Sequence, residues 1–362
     1  MKKLNLYGLV IGLLVLTACG DDDESKTSFT VDDAKQSMSK LSADMSADIV
    51  DITSAQGVNA VGDLVGILEL NDPFAGRLAN AEETKSWFKK HAVLFKTVFV
   101  TKPTTNGRLA EEGFDFNSHV GTYNWNPDTE SFDKVEGGSI IVINFPREGS
   151  SENNISLRIT EFSEEQFEDE FEVYYMPTAI AADLSIDDVE QIALDFSAAY
   201  NTNGDPVSAS VALFLNPYTF SVAFDDTQTK TVNGSASIKK NQETIVATSL
   251  KVDFLTQQKE DIDLIDGFVQ YRTIKIQGNV DVNGIESAEN PDPNEFVTLA
   301  LFDGANKIGD IIFETEMVDG YEEDVPYVEY ADGTKAKLED VLQPVIEEIE
   351  DFEEEVEGWS AG

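Results

Sequence analysis

The sequence predicts an α+β fold: N-terminal helices, one large curved antiparallel β-sheet of half-barrel-like form, and a C-terminal amphipathic helix. Three observations predict it. Near both ends of the chain, apolar residues recur every three or four positions. From residue 114 to 337 apolar and polar residues tend instead to alternate, the period of a half-buried strand. Turn signals join these alternating runs with no helical stretch between them, which gives antiparallel pairing and excludes a doubly wound nucleotide-binding sheet. A half-polar sheet of this length needs a cover for its apolar face, and the terminal helices are the available cover. A β-sandwich with a helical N-terminal appendage is the alternative.

Lys2 and Lys3 precede a mostly apolar stretch from Leu4 to Leu16. That stretch is shorter than the roughly twenty residues a membrane-spanning helix needs, and it has the form of a signal-peptide core. It ends in Leu16-Thr17-Ala18-Cys19, and Cys19 is the only cysteine of the chain. These residues resemble the lipobox of bacterial lipoproteins. The resemblance implies cleavage after residue 18 and a diacylglyceryl group on the Cys19 sulfur, with palmitate-type acyl chains as the membrane anchor. Asp21, Asp22, Asp23 and Glu24 follow directly. Four adjacent acids with no apolar neighbour form a solvated tether, assigned to residues 19–30. The run also resembles the acidic tag that sends some Gram-negative lipoproteins to the outer face of the outer membrane. A plain acidic linker on a lipoprotein facing the periplasm is the alternative.

Residues 31–362 form a single ectodomain on this reading, with 31–101 helical, 114–337 in strands and 338–357 helical. Ala34, Met38, Leu41, Met45 and Ile49 mark one stripe of a helix from Val31 to about Ile52. A weaker helical stretch spans about 55–70, softened by Gly57, Gly62 and Gly66. A third carries Trp87, Phe88, Leu94, Phe95, Val98 and Phe99 behind a capping pair, Asn80 and Glu83, and stops at Pro103.

Phe114, Phe116 and the stretch 123–125 then lead to the turn Asn126-Pro127-Asp128, and 140–145 reads as a buried strand. The clearest hairpin pairs Ile180, Ala182, Leu184 and Ile186 with Ile192, Leu194 and Phe196 across Asp187-Asp188. Asn203-Gly204 and Asn216-Pro217 bound the next strand. Tyr218, Phe220, Val222 and Phe224 share one face of another. Val246, Leu250, Val252 and Phe254 repeat the pattern, as do Ile274, Ile276, Val280 and Val282. The stretch 283–295 is the expected long loop, and Asp303-Gly304 and Asp332-Gly333 mark two final hairpins. Leu338, Val341, Leu342, Val345, Ile346, Ile349, Phe352 and Val356 line one face of the closing helix, with Pro344 kinking or restarting it. The pattern as a whole is similar to the unclosed half-barrel of periplasmic lipoprotein carriers, by analogy of element order alone.

The 362 residues include 69 Asp and Glu against 25 Lys and Arg, a net charge of −44. Nucleic-acid phosphates and anionic lipid headgroups need basic patches that such a chain lacks. One cysteine excludes an intramolecular disulfide and a cysteine-based zinc site. The two histidines, His91 and His119, form no H-x-x-x-H pair. Nucleophile-elbow, P-loop and dinucleotide-binding signatures are absent. Two oxygen-rich turns, Asn201-Asn203-Asp205 and Asp281-Asn283-Glu286, offer calcium-type ligands, but both read first as turns. Tyr123, Trp125, Tyr218 and Phe220 would form a sugar-stacking platform if exposed, and at strand spacing read first as packing residues.

The expectation is therefore an acidic lipoprotein of the outer membrane. It faces the exterior and carries a non-enzymatic binding or structural ectodomain, with no cofactor or metal beyond the lipid on Cys19. Its predicted partner is the membrane, through that anchor, and no nucleic acid is expected. A carrier of an apolar ligand and a carbohydrate-binding or carbohydrate-processing surface protein are the alternatives. A glycan, an apolar molecule or a cell-envelope protein would be the respective ligand.

Overall fold

The computed structural model describes residues 31–60 and 114–343, apart from 130, 148–149, 169–172 and 319–320. The signal segment, the acidic run, the predicted third helix and the end of the C-terminal helix lie outside the described residues. The fold is α+β. Among the described residues, the helix α1 (Val31–Thr53) and two shorter helical stretches precede sixteen strands, and residues 338–343 are again helical.

The strands are β1 (Gly121–Asn126), β2 (Ser131–Val135), β3 (Ile141–Phe145), β4 (Ile155–Glu168), β5 (Val173–Ile186), β6 (Val189–Tyr200), β7 (Pro206–Leu215) and β8 (Tyr218–Asp225), followed by β9 (Thr231–Lys240), β10 (Glu243–Phe254), β11 (Ile262–Tyr271), β12 (Ile274–Asp281), β13 (Val297–Asp303), β14 (Asn306–Val318), β15 (Tyr321–Tyr330) and β16 (Lys335–Lys337). From β3 to β16 each strand lies beside its neighbour in sequence, and the open sheet ends at β16 on one side and β2 on the other. Short turns enforce this order. At Asp187 and Asp188, for example, both residues take left-handed backbone (φ 50° and 63°), the conformation a two-residue hairpin needs to follow the strand twist.

The expected all-antiparallel pairing fails at one place. β1 pairs with β2 antiparallel but with β3 in parallel, so the order there is β3-β1-β2. The five residues from Glu136 to Ile140 need only pass the start of β1, and Gly137 and Gly138 supply positive φ angles (119° and 90°) for that tight path. Phe116, expected on a strand, lies in a short helix, α2 (Phe116–His119), whose Asp115 side chain accepts a hydrogen bond from Ser118 N–H. The expected long loop contains α3 (Val282–Ser287) and α4 (Pro293–Phe296), capped by Asp281 and Asp292. Val282 is thus the first residue of α3 rather than the end of β12.

The chain folds as two compact units, and the division between them falls within β8. In the unit of 52–223, Ala60, Trp125, Ile141, Ile143, Phe145, Ile155, Leu184, Ile192 and Leu215 form a buried core, with Phe220 packed against it. Residues 56–60 are helical and close this core at one point with unusual tightness. Gly57 N–H donates to Asn216 O at 3.0 Å, and a Cβ on Gly57 would lie 2.2 Å from Asn216 N and 2.3 Å from the Leu215 carbonyl carbon. In the other unit, Ala34 and Leu41 of α1 pack with Ile274, Leu299, Leu301, Ile308, Ile311, Val328 and Tyr330, together with Leu338 and Val341.

Gly57→Ala is expected to destabilise the protein by about 3 kcal/mol, because backbone rather than a mobile side chain blocks the added carbon. Gly234→Ala, where the nearest atom would be 4.0 Å away, serves as the control and is expected to change the urea midpoint little. Equal midpoints for the two variants would show that the Gly57 contact relaxes freely.

Candidate functional site

α1 places a carboxylate where its apolar stripe should continue. Ala34, Leu41 and Asp48 follow one another at intervals of seven, nearly two turns, and so lie along one line of the helix. All three are buried, Asp48 to 5% exposure. A buried carboxylate is costly unless both oxygens are satisfied. Asp48 Oδ1 accepts from Arg272 Nη2 at 2.7 Å, and Oδ2 accepts from Arg272 Nε at 2.8 Å and from the Tyr271 hydroxyl at 2.7 Å. Arg272 Nη1 reaches on to Glu243 Oε1 at 2.7 Å. The guanidinium therefore grips Asp48 with two parallel bonds, the strongest geometry for this pair.

Two further contacts fasten the same helix. Ser37 Oγ donates to Asp303 Oδ2 at 3.0 Å, and Lys240 Nζ pairs with Asp51. Asp303 stands at the β13–β14 turn, Arg272 at the β11–β12 turn, and Lys240 at the β9–β10 turn. α1 is thus bolted to three successive hairpin ends. Arg272 itself takes left-handed backbone (φ 49°), which costs a non-glycine residue on the order of 1 kcal/mol. Its N–H bond to Ile245 O at 2.7 Å and the grip on Asp48 and Glu243 hold it there.

The electrostatics follow from burial and contact. Burial first, then the hydrogen bond to Asp48, pushes the Tyr271 hydroxyl above the ordinary tyrosine value. The hydrogen bond to Asp48 raises Arg272 likewise. All three donors point inward at one carboxylate, so the arrangement is a clasp rather than a catalytic or metal centre. Sequence reasoning missed it. The signal was present as a single acid at the seven-residue continuation of Ala34 and Leu41.

The residues singled out from sequence are dispersed. Cys19, Asp21, Asp22, Asp23, Glu24 and His91 lie outside the described residues. His119 stacks on Phe114, ring centres 5.2 Å apart, and its carbonyl accepts from the Tyr123 hydroxyl. Asn201 Oδ1 accepts from the N–H groups of Asn203 and Asp205, and its amide donates to Asp205 at 3.0 Å, so these oxygens build a turn. Asp281 Oδ1 caps α3 through Gly284 N–H at 2.7 Å. Trp125 is buried edge-on against Phe132, and Tyr218 is fully buried. The aromatics therefore pack instead of forming an exposed row. A shallow recess of about 290 Å³ opens on the sheet face of the 52–223 unit, where Ala181, Ala193 and Ala212 meet Asp183, Asp195 and Phe214.

A double-mutant cycle on Asp48→Ala and Arg272→Ala is expected to give a coupling of about 1–3 kcal/mol. The exposed pair Lys307–Asp310 should give less than about 1 kcal/mol. Comparable couplings would remove the clasp from its structural role. A second measurement reads the Tyr271 proton. The unfolded hydroxyl releases it near pH 10, the folded one at higher pH, so rising pH drains protons first from the unfolded state and favours unfolding. Stability is expected to hold below about pH 10 and fall above it, with a shallower fall in Tyr271→Phe. Parallel curves would show that Tyr271 contributes nothing to the alkaline loss. Comparison of the chain with family models, curated proteins and solved structures finds no match.

Proposed function

We propose that this chain is a membrane-anchored bacterial lipoprotein, displayed on the cell exterior, whose ectodomain binds a partner or serves a structural role without catalysing a reaction. The observation that supports this reading most is the clasp on α1. The helix begins at Val31, twelve residues beyond Cys19, a distance of at most about 40 Å even for fully extended chain. An anchor on Cys19 would therefore pull on a helix that Ser37, Asp48 and Asp51 fasten to three hairpin ends. Such a joint would pass a pull on the helix directly to the sheet. Two acyl chains on one cysteine give the durable attachment that one chain does not.

Cys19→Ser is expected to abolish lipid labelling and release the protein from the membrane fraction. Unchanged labelling and fractionation would reject the assignment. Replacing Asp21, Asp22, Asp23 and Glu24 with Ala is expected to leave lipidation intact and protect the protein from externally added protease. Equal cleavage of both forms would reduce the acidic run to a tether.

A further inference from the structure

The β14–β15 hairpin outruns the strands on either side of it. β13 pairs with β14 as far as Ile311, and β16 pairs with β15 only from Tyr327 to Glu329. The Asn294 side chain closes the next position of β14, exchanging two hydrogen bonds with the Phe313 backbone at 2.8 and 2.9 Å. Beyond that, residues 314–318 and 321–325 pair with each other alone among the described residues. A two-stranded ribbon in water is marginally stable, and a third strand adds the missing support.

The register shows which groups such a strand would meet. Tyr330 N–H donates to Thr334 O, so Tyr330 turns its backbone groups toward β16. Alternation along an antiparallel strand then turns Val328, Pro326, Asp324 and Glu322 the same way. Val328 lies opposite Ala336, and Pro326 has no N–H to offer. Past Lys337 the chain leaves the edge for the helix at 338–343, which buries Leu338 and Val341. Asp324 and Glu322 are left with their N–H and C=O groups facing an edge that no described strand covers.

The charge at this edge selects the strand. Glu322, Glu323 and Asp324 are exposed, and among the described residues no cation pairs with Glu322 or Glu323. The chain's own edge strand shows the matching chemistry. Lys335 reaches Glu314 at 2.7 Å and Glu329 at 3.5 Å, while Lys337 reaches Glu316 at 2.5 Å and lies over the Tyr327 ring. Met317 and Tyr321, at 67% and 74% exposure, add apolar surface at the ribbon's end. Acids on an edge strand repel acidic strands, including the same edge of a second copy, and leave a neutral strand without compensation for the carboxylates it would desolvate. A basic strand escapes that repulsion.

We propose that the β15 edge from Tyr321 to Pro326 is a docking site for an extended basic segment of another protein, added as a strand in line with β16. This deepens the binding role proposed above, and its test does not depend on membrane attachment. The purified full-length protein in detergent is titrated with an octapeptide of alternating Lys and Val, with alternating Glu and Val as the control. Saturable binding of the Lys peptide alone is expected, weakening about tenfold or more between about 0.05 and 0.5 M salt. Amide exchange at Glu322 and Asp324 is expected to slow about tenfold on binding, while Glu323 and Val325, which face β14, stay unchanged. Asp324→Pro removes one edge N–H and is expected to weaken binding about tenfold, and Asp324→Asn, which loses the same carboxylate but keeps the N–H, is expected to weaken it less. Absence of binding overturns the proposal. Binding without slower exchange at Glu322 and Asp324 also overturns it, because charge attraction alone would then account for the affinity.

Discussion

A carboxylate on the buried side of a helix is tolerable only where donors surround it, and that condition fixes α1. Asp48 finds three donors on two consecutive residues, Tyr271 and Arg272, at the end of one hairpin. Slide the helix by one turn and the carboxylate, not a methyl group, meets the apolar wall of Leu299, Leu301 and Ile308. The apolar stripe alone would accept several positions along the sheet at similar cost. The buried ion pair discriminates among them, since an uncompensated buried charge costs several kcal/mol. It is in this sense a device of register, and the strained backbone at Arg272 is its local cost.

The sheet follows a different logic. Nearly every strand pairs with the one before it, so most of the structure rests on local hairpins. Irregularity enters where a strand must bend or turn its side chains over. β4 shifts register between Ile159 and Glu161 and again between Ser163 and Glu164. The first leaves Thr160 of β4 unpaired and moves its apolar side chains to the other parity, so Ile155, Leu157 and Ile159 are followed by Phe162 rather than by residue 161, while the second leaves Thr178 of β5 unpaired.

That irregularity explains what could be read from the amino acids and what could not. Hairpins bounded by Asp187-Asp188, Asn216-Pro217, Asp303-Gly304 and Asp332-Gly333 were legible because turn chemistry and strict alternation coincided there. β4 was not, since its bulge at Thr160 breaks the period of two. β9 was not, because Thr-Val-Asn-Gly-Ser-Ala-Ser-Ile-Lys-Lys has too little apolar contrast to alternate. β11 carries Asp263 and Asp266 inside its run, which interrupt both faces. The stripe of α1 was legible, but Asp48 was passed over because an acid on a helix is ordinarily assigned to the solvated face. Only its partners, more than two hundred positions away in sequence, reveal that it is inside.

The clasp joins an early helix to strands made late. Asp48 and Arg272 are separated by 224 positions, and Ser37 and Asp303 by 266. A chain emerging from its N-terminus can close its hairpins one after another, because each needs only the strand before it. Among the described residues the partners of α1 are late strands, so these contacts wait until the sequence beyond Asp303 has been delivered. Closure of the clasp on α1 is thus a late event of assembly, one that registers the arrival of strands made more than two hundred residues later.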